Sequence, residues 1–269
     1  MRIFAICLTC NEADVVEPCL REAAAWCDRI FVYDGGSTDG TWETVQRMAS
    51  DIIVPWRSEP QVFREGLRAD VFNAFRHEAR AGDWWCQLNA DEFYIEDPRA
   101  FLASVPCRDH IVWAVNLQYY LTPEMLAEAP VEGMFERNRA RFQHYEAAAS
   151  ERRFFRHRDR LRWHPAAAWP KHLGVNHARL LHFRHYPLRS PAQIQQRLDL
   201  RRRHRAAGFE GWAHAASAEW REKLVPTARL HPDIGDGPWI VPPVIAACHR
   251  EPLLRRAMKR FLHAVRILP

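Results

Sequence analysis

Three short segments of the sequence combine carboxylate, amide and hydroxyl side chains, and each directly follows an apolar run. They are residues 9–14, 34–41 and 89–92. Oxygen donors of these kinds can bind a divalent cation or the hydroxyl and base groups of a nucleotide. The sequence therefore predicts a polar binding site assembled from three separate parts of the chain.

The last of these segments offers the sharpest chemistry, a site for a divalent cation. Asn89 and Asp91 are two residues apart, so on an extended chain both side chains point to the same side and could share one ion, directly or through water. Hard oxygen ligands favour Mg²⁺ or Mn²⁺. The alternative is a surface turn that begins at Asp91 and Glu92 and binds nothing.

The first hundred residues alternate strand-like and helix-like patterns that would position these segments. Apolar runs typical of buried strands occur at residues 3–9, 29–33, 51–56 and 84–88. Helical spacing or composition lies between them. This alternation predicts an α/β fold with a parallel sheet and right-handed crossovers, in which ligands bind at the carboxyl ends of the strands. All three polar segments lie at such ends.

The rest of the chain is less regular, and we expect residues 101–250 to form the second half of the same domain. Residues 122–150 follow no clear pattern, and residues 226–244 contain five prolines, which predict loop or extended structure. Residues 251–269 predict a final basic amphipathic helix. The remaining predictions are strands at 111–121, 153–155 and 180–185 and helices at 193–206 and 217–224.

The formal net charge of +5 conceals two halves of opposite sign. Residues 1–100 contain 10 Lys and Arg against 18 Asp and Glu, whereas residues 101–269 contain 28 against 15. The two halves should therefore meet different partners. No apolar run reaches the ~18 residues of a membrane span, and the first run is shorter than the ~7–15-residue core of a signal peptide. These features predict a cytoplasmic protein.

Cys7 and Cys10 form a C-x-x-C pattern, which could indicate a redox or metal site. The pair falls at the end of the first apolar run, where side chains three apart on a strand point to opposite faces. We therefore interpret both cysteines as small buried residues.

The polar segments, read with their flanking strands, resemble a known enzyme family. The stretches LTCNEAD at 8–14, FVYDGGSTDGT at 31–41 and WWCQLNADEFY at 84–94, in that order, look like the nucleotide-sugar half of family-2-type glycosyltransferases. The likeness returns at 182–197, where HYPLRS at 185–190 resembles a His-Tyr-x-x-Arg-Ser motif. It implies the GT-A fold, a mostly parallel sheet flanked by helices, with an irregular C-terminal half on the acceptor side.

The resemblance implies a role for each matching residue of the donor half. Asp34 would contact a uracil-type base or its ribose, and Arg68 would reach the phosphates. Asp91, with Asn89, would hold Mn²⁺ or Mg²⁺ on the diphosphate, and His185 would complete the metal shell. The other implied nucleotide-binding residues are Thr9, Asn11, Glu12, Ser37 and Asp39.

Two features of these motifs qualify the implied site. His182 and His185 are three apart, so on a strand they lie on opposite faces and we expect only His185 to face the site, unless it is a structural histidine. Asn89 stands where the motif has its first carboxylate, and an amide oxygen brings no charge to a metal. This leaves open a metal-independent or inactive variant. Arg189 and Arg197 could approach the diphosphate or form surface pairs.

Inverting sugar transfer, which the resemblance implies, needs a base that deprotonates the acceptor hydroxyl. Glu92 is the candidate catalytic residue, although a carboxylate beside the metal could instead bind the donor sugar. Other carboxylates in the region expected to meet the acceptor are Glu132, Glu136 and Glu146.

The predicted function is transfer of a sugar from a nucleotide-diphosphate donor, most simply a UDP-sugar, to a glycan or lipid-linked acceptor. One alternative is a degenerate, non-catalytic binding protein, which Asn89 favours. A nucleotidyltransferase is disfavoured because residues 9–12 contain neither glycine nor a basic residue. No G-x-G-x-x-G follows a strand, which disfavours a dehydrogenase.

Two basic segments bear on possible partners. The arginine run at 201–205 has no nucleic-acid-binding motif with it, and we expect no nucleic-acid partner. The helix at 251–269 could make a peripheral contact with an anionic membrane surface. Its alternative is packing on the core with a solvated basic face.

Overall fold

The computed structural model describes residues 1–208, 217–235 and 237–269. Its strands are β1 (Ile3–Thr9), β2 (Arg29–Asp34), β3 (Ile53–Ser58), β4 (Trp84–Asn89), β5 (Glu92–Tyr94), β6 (Ile111–Tyr119), β7 (His144–Arg156), β8 (Leu181–His185) and β9 (His231–Pro232). They form one mixed sheet in the order β3-β2-β1-β4-β7-β6-β8-β5, with β9 paired to β7. The predicted α/β class is confirmed.

Helices connect and cover these strands. They are α1 (Val16–Ala24), α2 (Thr41–Arg47), α3 (Leu67–Phe75), α4 (Pro98–Ala103), α5 (Pro123–Glu128), α6 (Phe135–Asn138), α7 (Pro191–Ala206), α8 (Pro243–Ala247) and α9 (Leu253–Ala264). None of the helices in the described ranges is long and apolar enough to cross a membrane.

The first half of the sheet is parallel, as its alternating pattern predicts. β1 lies between β2 and β4, and β2 also pairs with β3, all in parallel. In this register Thr9 is opposite Asp34, and Leu8 is opposite Asn89. The polar segments that follow β1, β2 and β4 therefore meet at one edge of the sheet.

Both faces of this parallel half are buried. Ile3, Ala5 and Cys7 of β1 pack with α1 on one face. On the other face Phe4 packs with residues of α3, and its ring centroid lies 5.1 Å from that of Trp85 on the neighbouring strand β4. Burial on both faces explains why β1 is an almost continuous apolar run. Cys7 is part of this core, and burial raises the pKa of its thiol, which keeps it uncharged.

The second half contains a strand that the sequence pattern underestimates. β7 has 13 residues and is much longer than the strand predicted at 153–155. It begins inside the alanine-rich segment that followed no clear pattern. Antiparallel pairing with β6 extends from Ile111 opposite Phe155 to Tyr119 opposite Tyr145. This pairing outweighs the weak strand preference of alanine and glutamate.

β8 and β5 bring a distant part of the chain to the carboxyl end of β4. β8 pairs in parallel with β6, and β5 pairs antiparallel with β8. Glu92 on β5 is opposite His185 on β8. The motif around residue 91 and the motif around residue 185 are therefore neighbours in the fold.

Candidate functional site

A cavity of about 600 Å³ opens at the carboxyl ends of β1 and β4, where the sequence predicts the site. Its volume is in the range of small-molecule and cofactor sites. Residues from β7 and α7 complete the wall. Its charged lining consists of the carboxylates Glu12, Glu65, Asp91 and Glu151 and the arginines Arg68, Arg152, Arg153, Arg197 and Arg201.

Asp91 is the carboxylate at the centre of the charged groups. Its Oδ2 lies 3.1 Å from Nη1 of Arg197, 3.4 Å from Nε2 of His185 and 3.7 Å from Nη1 of Arg189. Burial opposes ionisation of Asp91, but the charges of His185 and the arginines outweigh it and hold its pKa well below the usual value. Asp91 is therefore an anion whose charge is shared with three basic side chains.

Arg189 ties the loop after β1 to the start of α7. It donates to both carboxylate oxygens of Asp14, at 2.7 and 2.8 Å, and to Glu12. Burial disfavours its charged form, but Glu12 and Asp14 raise its pKa. Glu12 also accepts from Arg197 at 3.0 Å. Burial raises the pKa of Glu12, and the two arginines offset this only in part. Arg197 lines the cavity, whereas Arg189 is buried behind it.

Glu92, the predicted catalytic residue, is buried in an ion pair. Its Oε1 accepts from Arg153 at 2.6 Å and from the amide nitrogen of Asn89 at 2.8 Å. Burial raises the pKa of Glu92, which Arg153 partly offsets, and Glu92 in turn helps to raise the pKa of Arg153. Arg153 lines the cavity, and Glu92 does not.

The two histidines of β8 point in opposite directions, as predicted. His182 turns away from the cavity and places Nδ1 2.6 Å from Glu96. His185 turns toward Asp91, and its Nδ1 lies 3.2 Å from the side-chain nitrogen of Asn116. If Asn116 donates to Nδ1, the proton of a neutral His185 is on Nε2, facing Asp91.

Asp91, Glu92 and His185 form a group that could hold a metal ion, since one ligand atom from each lies within 4.8 Å of the others. Carboxylate and imidazole together suit Mn²⁺ and other divalent transition metals. Ligation through Nε2 of His185 needs a proton on Nδ1 instead. The buried Oδ1 of Asn116 has no hydrogen-bond partner among the described residues and could accept that proton after a half-turn of the amide, which would give up the hydrogen bond from Asn116 to Glu151. These residues therefore fit a metal.

Asn89 does not belong to this group. Its Oδ1 accepts a hydrogen bond from Arg68 at 2.9 Å, and its amide nitrogen donates to Glu92. Arg68 is itself buried, and its other hydrogen bond goes to Glu65. The candidate metal ligands are therefore Asp91, Glu92 and His185, and Glu92 takes the place that the sequence predicted for Asn89.

Three of the predicted nucleotide-binding residues line the cavity: Thr9, Glu12 and Arg68. Thr9 lies at the end of β1, and its hydroxyl is buried with no hydrogen-bond partner among the described residues. This oxygen is inaccessible to solvent, so it would have to turn into the cavity before it could pair with a polar ligand.

The other four hold two loops together and do not line the cavity. Asp34 is fully buried and accepts from Ser37 and from Ser58. Ser37 accepts from the backbone N–H of Asn11, whose side chain accepts from the N–H of residue 38. Asp39 accepts from the N–H of residue 13 and from Thr41. These bonds join the loop after β1 to the loop after β2.

Several cavity residues were missed by the sequence analysis. Glu151 and Arg153 lie two apart on β7 and face the cavity together, with 3.0 Å between their charged groups. Arg153 and a hydrogen bond from Asn116 lower the pKa of Glu151, although burial opposes this. Strand alternation alone would not have identified them, because Arg153 is skipped in the register with β6 and Arg152 lines the cavity as well. Trp113 and Trp169 also line the cavity.

None of the three glutamates suggested for the acceptor region lines this cavity. Glu146 accepts from Tyr120 at 3.2 Å, and Glu136 lies 3.5 Å from Arg139. Glu132 is exposed.

Comparison with known proteins adds little to this geometry. No family model matches the chain, and no curated protein matches it. Among solved structures, a proposed glucose-1-phosphate thymidylyltransferase from Bacillus anthracis, in complex with a sucrose, is similar at 12% sequence identity with a TM-score of 0.32. The match covers 46% of this chain and 57% of that chain. A likeness this slight supports no argument about function.

Proposed function

We propose that the protein is a nucleotide-sugar-dependent glycosyltransferase that inverts at the anomeric carbon. The observation that carries the proposal is the cavity at the strand ends, which is lined by the ionised Asp91 and by five arginines. Such a cavity suits a ligand that combines an anionic diphosphate with neutral hydroxyl groups. A nucleoside diphosphate sugar, with a UDP-sugar as the simplest case, has this composition.

The arginines would hold the diphosphate. Arg68 and Arg197 reach the cavity from opposite elements, α3 and α7. Burial lowers the pKa of Arg201 to about 10, which still leaves this guanidinium charged at neutral pH. Guanidinium groups would neutralise the charge that develops on the diphosphate as the bond to the sugar breaks. The hydroxyl of Thr9 would donate a hydrogen bond to the nucleotide.

Asp91 and His185, with Glu92, would hold a divalent cation such as Mn²⁺ or Mg²⁺. When bound, such a cation supplies further charge neutralisation to the diphosphate. The protein's own residues still orient the donor, because Arg68 is held by Asn89 at the cavity wall and Arg153 is held by the buried Glu92.

We assign the catalytic base to Glu151. It would take the proton of the acceptor hydroxyl as that oxygen attacks the anomeric carbon and the bond to the diphosphate oxygen breaks. The side chain of Glu151 is 41% exposed and lines the cavity, whereas that of Glu92 is fully buried. Glu92, apart from its place among the residues that would hold the cation, then acts as a positioning residue for Arg153.

The acceptor, a glycan or a lipid-linked sugar, would approach through a second cavity of about 450 Å³. Trp113 and Arg152 line both cavities, so the two adjoin. An indole beside a polar cavity suits the apolar face of a sugar ring. Several basic side chains also line the second cavity, which suits a phosphorylated acceptor.

Calorimetry with UDP, GDP and dTDP, each with and without Mn²⁺, tests donor binding. We expect UDP to bind more tightly with Mn²⁺, and Asp91→Asn to lose about tenfold or more of that affinity because the charge facing the cation is removed. Asp51→Asn, at an exposed aspartate outside the cavity, is the matched control. Absence of binding by all three nucleotides in both conditions would refute the proposal.

A second candidate function is that of a non-catalytic nucleotide-binding protein. It is favoured by Arg197, whose guanidinium already pairs with Asp91. Release of nucleoside diphosphate across a panel of nucleotide sugars separates the two functions. Release from one donor supports the transferase. Tight nucleotide binding with no release from any donor, with and without a mixture of glycan acceptors, supports the non-catalytic protein.

A further inference from the structure

The last helix, α9, is packed with its basic side inward. Arg256 and Arg260 both donate to Asp109, the latter at 2.9 Å. Lys259 pairs with Glu251 and donates to the carbonyl of Gly174 at 3.1 Å. A helix of a globular protein normally buries its apolar side and leaves its charged side in water. The orientation of α9 is the reverse.

The apolar side of α9 faces outward as a consequence. Leu254 is 84% exposed, Met258 55% and Phe261 62%. These residues are spaced four and three apart, so they form one stripe on a helix. Leu253, Val265 and Ile267 extend the exposed apolar surface at the two ends of the helix. A contiguous patch of this kind marks an interaction surface, unlike scattered exposed apolar residues.

Cations border this apolar surface. Arg255 and Arg266 are exposed on or directly after the helix, and Arg250 is exposed just before it. Residues 252–269 contain no aspartate or glutamate. The carboxylates that contact the helix, Asp109 and Glu251, pair with its inward basic residues. The net charge presented around the apolar stripe is therefore positive.

This charge distinguishes between the surfaces that could cover α9. A second copy of the chain, docked through the same stripe, would bring the arginines that border the stripe in one copy close to those of the other, and like charges at close range repel. An anionic lipid surface attracts the same arginines and also accepts the apolar side chains. Charge complementarity therefore favours the lipid surface.

We propose that α9 lies in the interface of an anionic lipid bilayer, parallel to the membrane plane. Leu254, Met258 and Phe261 enter the region between headgroups and acyl chains, and Arg255 and Arg266 contact the anionic headgroups. Helices of this type insert to a depth of about 5–10 Å without crossing the bilayer. The proposal does not depend on the donor site, because none of these residues lines the donor cavity. Of the five, only Arg255 lines the second cavity.

The test is cosedimentation of the full chain with vesicles of phosphatidylcholine and phosphatidylglycerol. We expect the wild-type chain to bind. The Met258→Glu/Phe261→Glu variant should bind the vesicles with an affinity at least about tenfold lower, because two apolar side chains that would be buried in the bilayer interface have been removed. Ile234→Glu is the matched control, because Ile234 is 68% exposed on the loop after β9 and is not part of α9. All three chains should show the same thermal unfolding midpoint.

Removal of the bordering charges gives a second, independent measurement. Arg255→Gln/Arg266→Gln should weaken binding to the anionic vesicles by about fivefold for each charge, and should leave any binding to pure phosphatidylcholine unchanged. A wild-type chain that stays in the supernatant, or equal binding by the Met258→Glu/Phe261→Glu variant, overturns the proposal. A wild-type dimer that becomes monomeric in that variant assigns the stripe to a second copy instead.

Discussion

Nη1 of Arg197 lies 3.1 Å from Oδ2 of Asp91, so the carboxylate best placed to hold a cation already has a guanidinium against it. Arg197 lines the cavity and its side chain is 21% exposed, whereas Asp91 is buried. An arginine and a divalent cation compete for this oxygen because each neutralises the same charge. Occupation of Asp91 by a metal therefore requires Arg197 to turn toward the cavity, where the proposed diphosphate lies.

Arg197→Gln should separate these two roles. We expect Mn²⁺ alone to bind several-fold more tightly, because its competitor at Asp91 is gone. We expect UDP without metal to bind about tenfold more weakly, because a charge-assisted hydrogen bond to phosphate is lost. Both affinities are measured by calorimetry. Arg202→Gln, which removes an exposed arginine on the same helix, should change neither. Unchanged affinities in Arg197→Gln would show that Arg197 is only structural.

Glu151→Gln should abolish transfer and spare nucleotide binding. Glutamine keeps the hydrogen bond to Asn116 but cannot take a proton, so we expect kcat to fall by about 10²- to 10⁴-fold. UDP affinity, measured by calorimetry, should stay within about twofold because the base contacts the acceptor and not the nucleotide. The rate is followed as release of nucleoside diphosphate.

Two further variants make the assignment of the base specific. Glu146→Gln changes an exposed glutamate on the same strand, outside the cavity, and should keep the wild-type rate. Glu92→Gln should lower the free energy of unfolding by about 3–5 kcal/mol, since it removes one partner of a buried ion pair. A pH profile of kcat that loses its acidic limb in Glu92→Gln and keeps it in Glu151→Gln would assign the base to Glu92.

The parallel half of the sheet follows from the sequence because its signals are local. Each apolar run and each helical pattern lies within about twenty residues of the next, and parallel strands joined by helices have one favoured handedness. Those facts alone bring residues 9, 34 and 89 to one edge. Simple strand alternation, once β8 is recognised, predicts that His182 and His185 point in opposite directions. The choice of His185 as the one that faces the site comes from the resemblance of HYPLRS to a family motif.

The remaining parts of the site depend on long-range pairing that local patterns do not encode. Glu92 meets His185 through an antiparallel pair between β5 and β8, which are nearly a hundred residues apart in the chain. Glu151 reaches the cavity because β7 pairs with β4 and β6, although its alanines favour a helix. The sequence shows that α9 is amphipathic, but only the ion pairs to Asp109 show that its apolar side faces outward.

Gly36→Ala should disturb the loop that carries the hydrogen bonds of Asp34. Gly36 has a φ of +82°, and a Cβ there would lie 2.6 Å from the backbone of Pro60. We expect a loss of more than about 1 kcal/mol in the free energy of unfolding, from strain and the clash together. Gly40→Ala is the matched control, since Gly40 has a φ of +94° but open space at the Cβ position. The free energy of unfolding is measured by urea denaturation. If Gly36→Ala and Gly40→Ala lower it equally, the cause is backbone strain and not the clash with Pro60.

The stability of the fold should depend on His110 in mildly acidic solution. Burial lowers the pKa of His110 from 6.5 to about 3, and its Nδ1 accepts from the backbone N–H of Val175 at 3.2 Å. Between these pH values the unfolded chain binds a proton that the folded chain does not. Stability should therefore rise with pH across this window, and be lost as pH falls through it, by at most about 1.4 kcal/mol per pH unit.

His110→Asn tests this dependence, because an amide oxygen can replace Nδ1 as the acceptor and does not titrate. Urea unfolding of the variant between pH 6.5 and 4 should show a shallower fall in stability than the wild-type chain. Part of the fall should remain, because burial also lowers the pKa of His263, whose ring centroid lies 4.8 Å from that of His110. His164→Asn, at an exposed histidine, should keep the full wild-type slope. Identical slopes in His110→Asn and His164→Asn would exclude His110 as the titrating group.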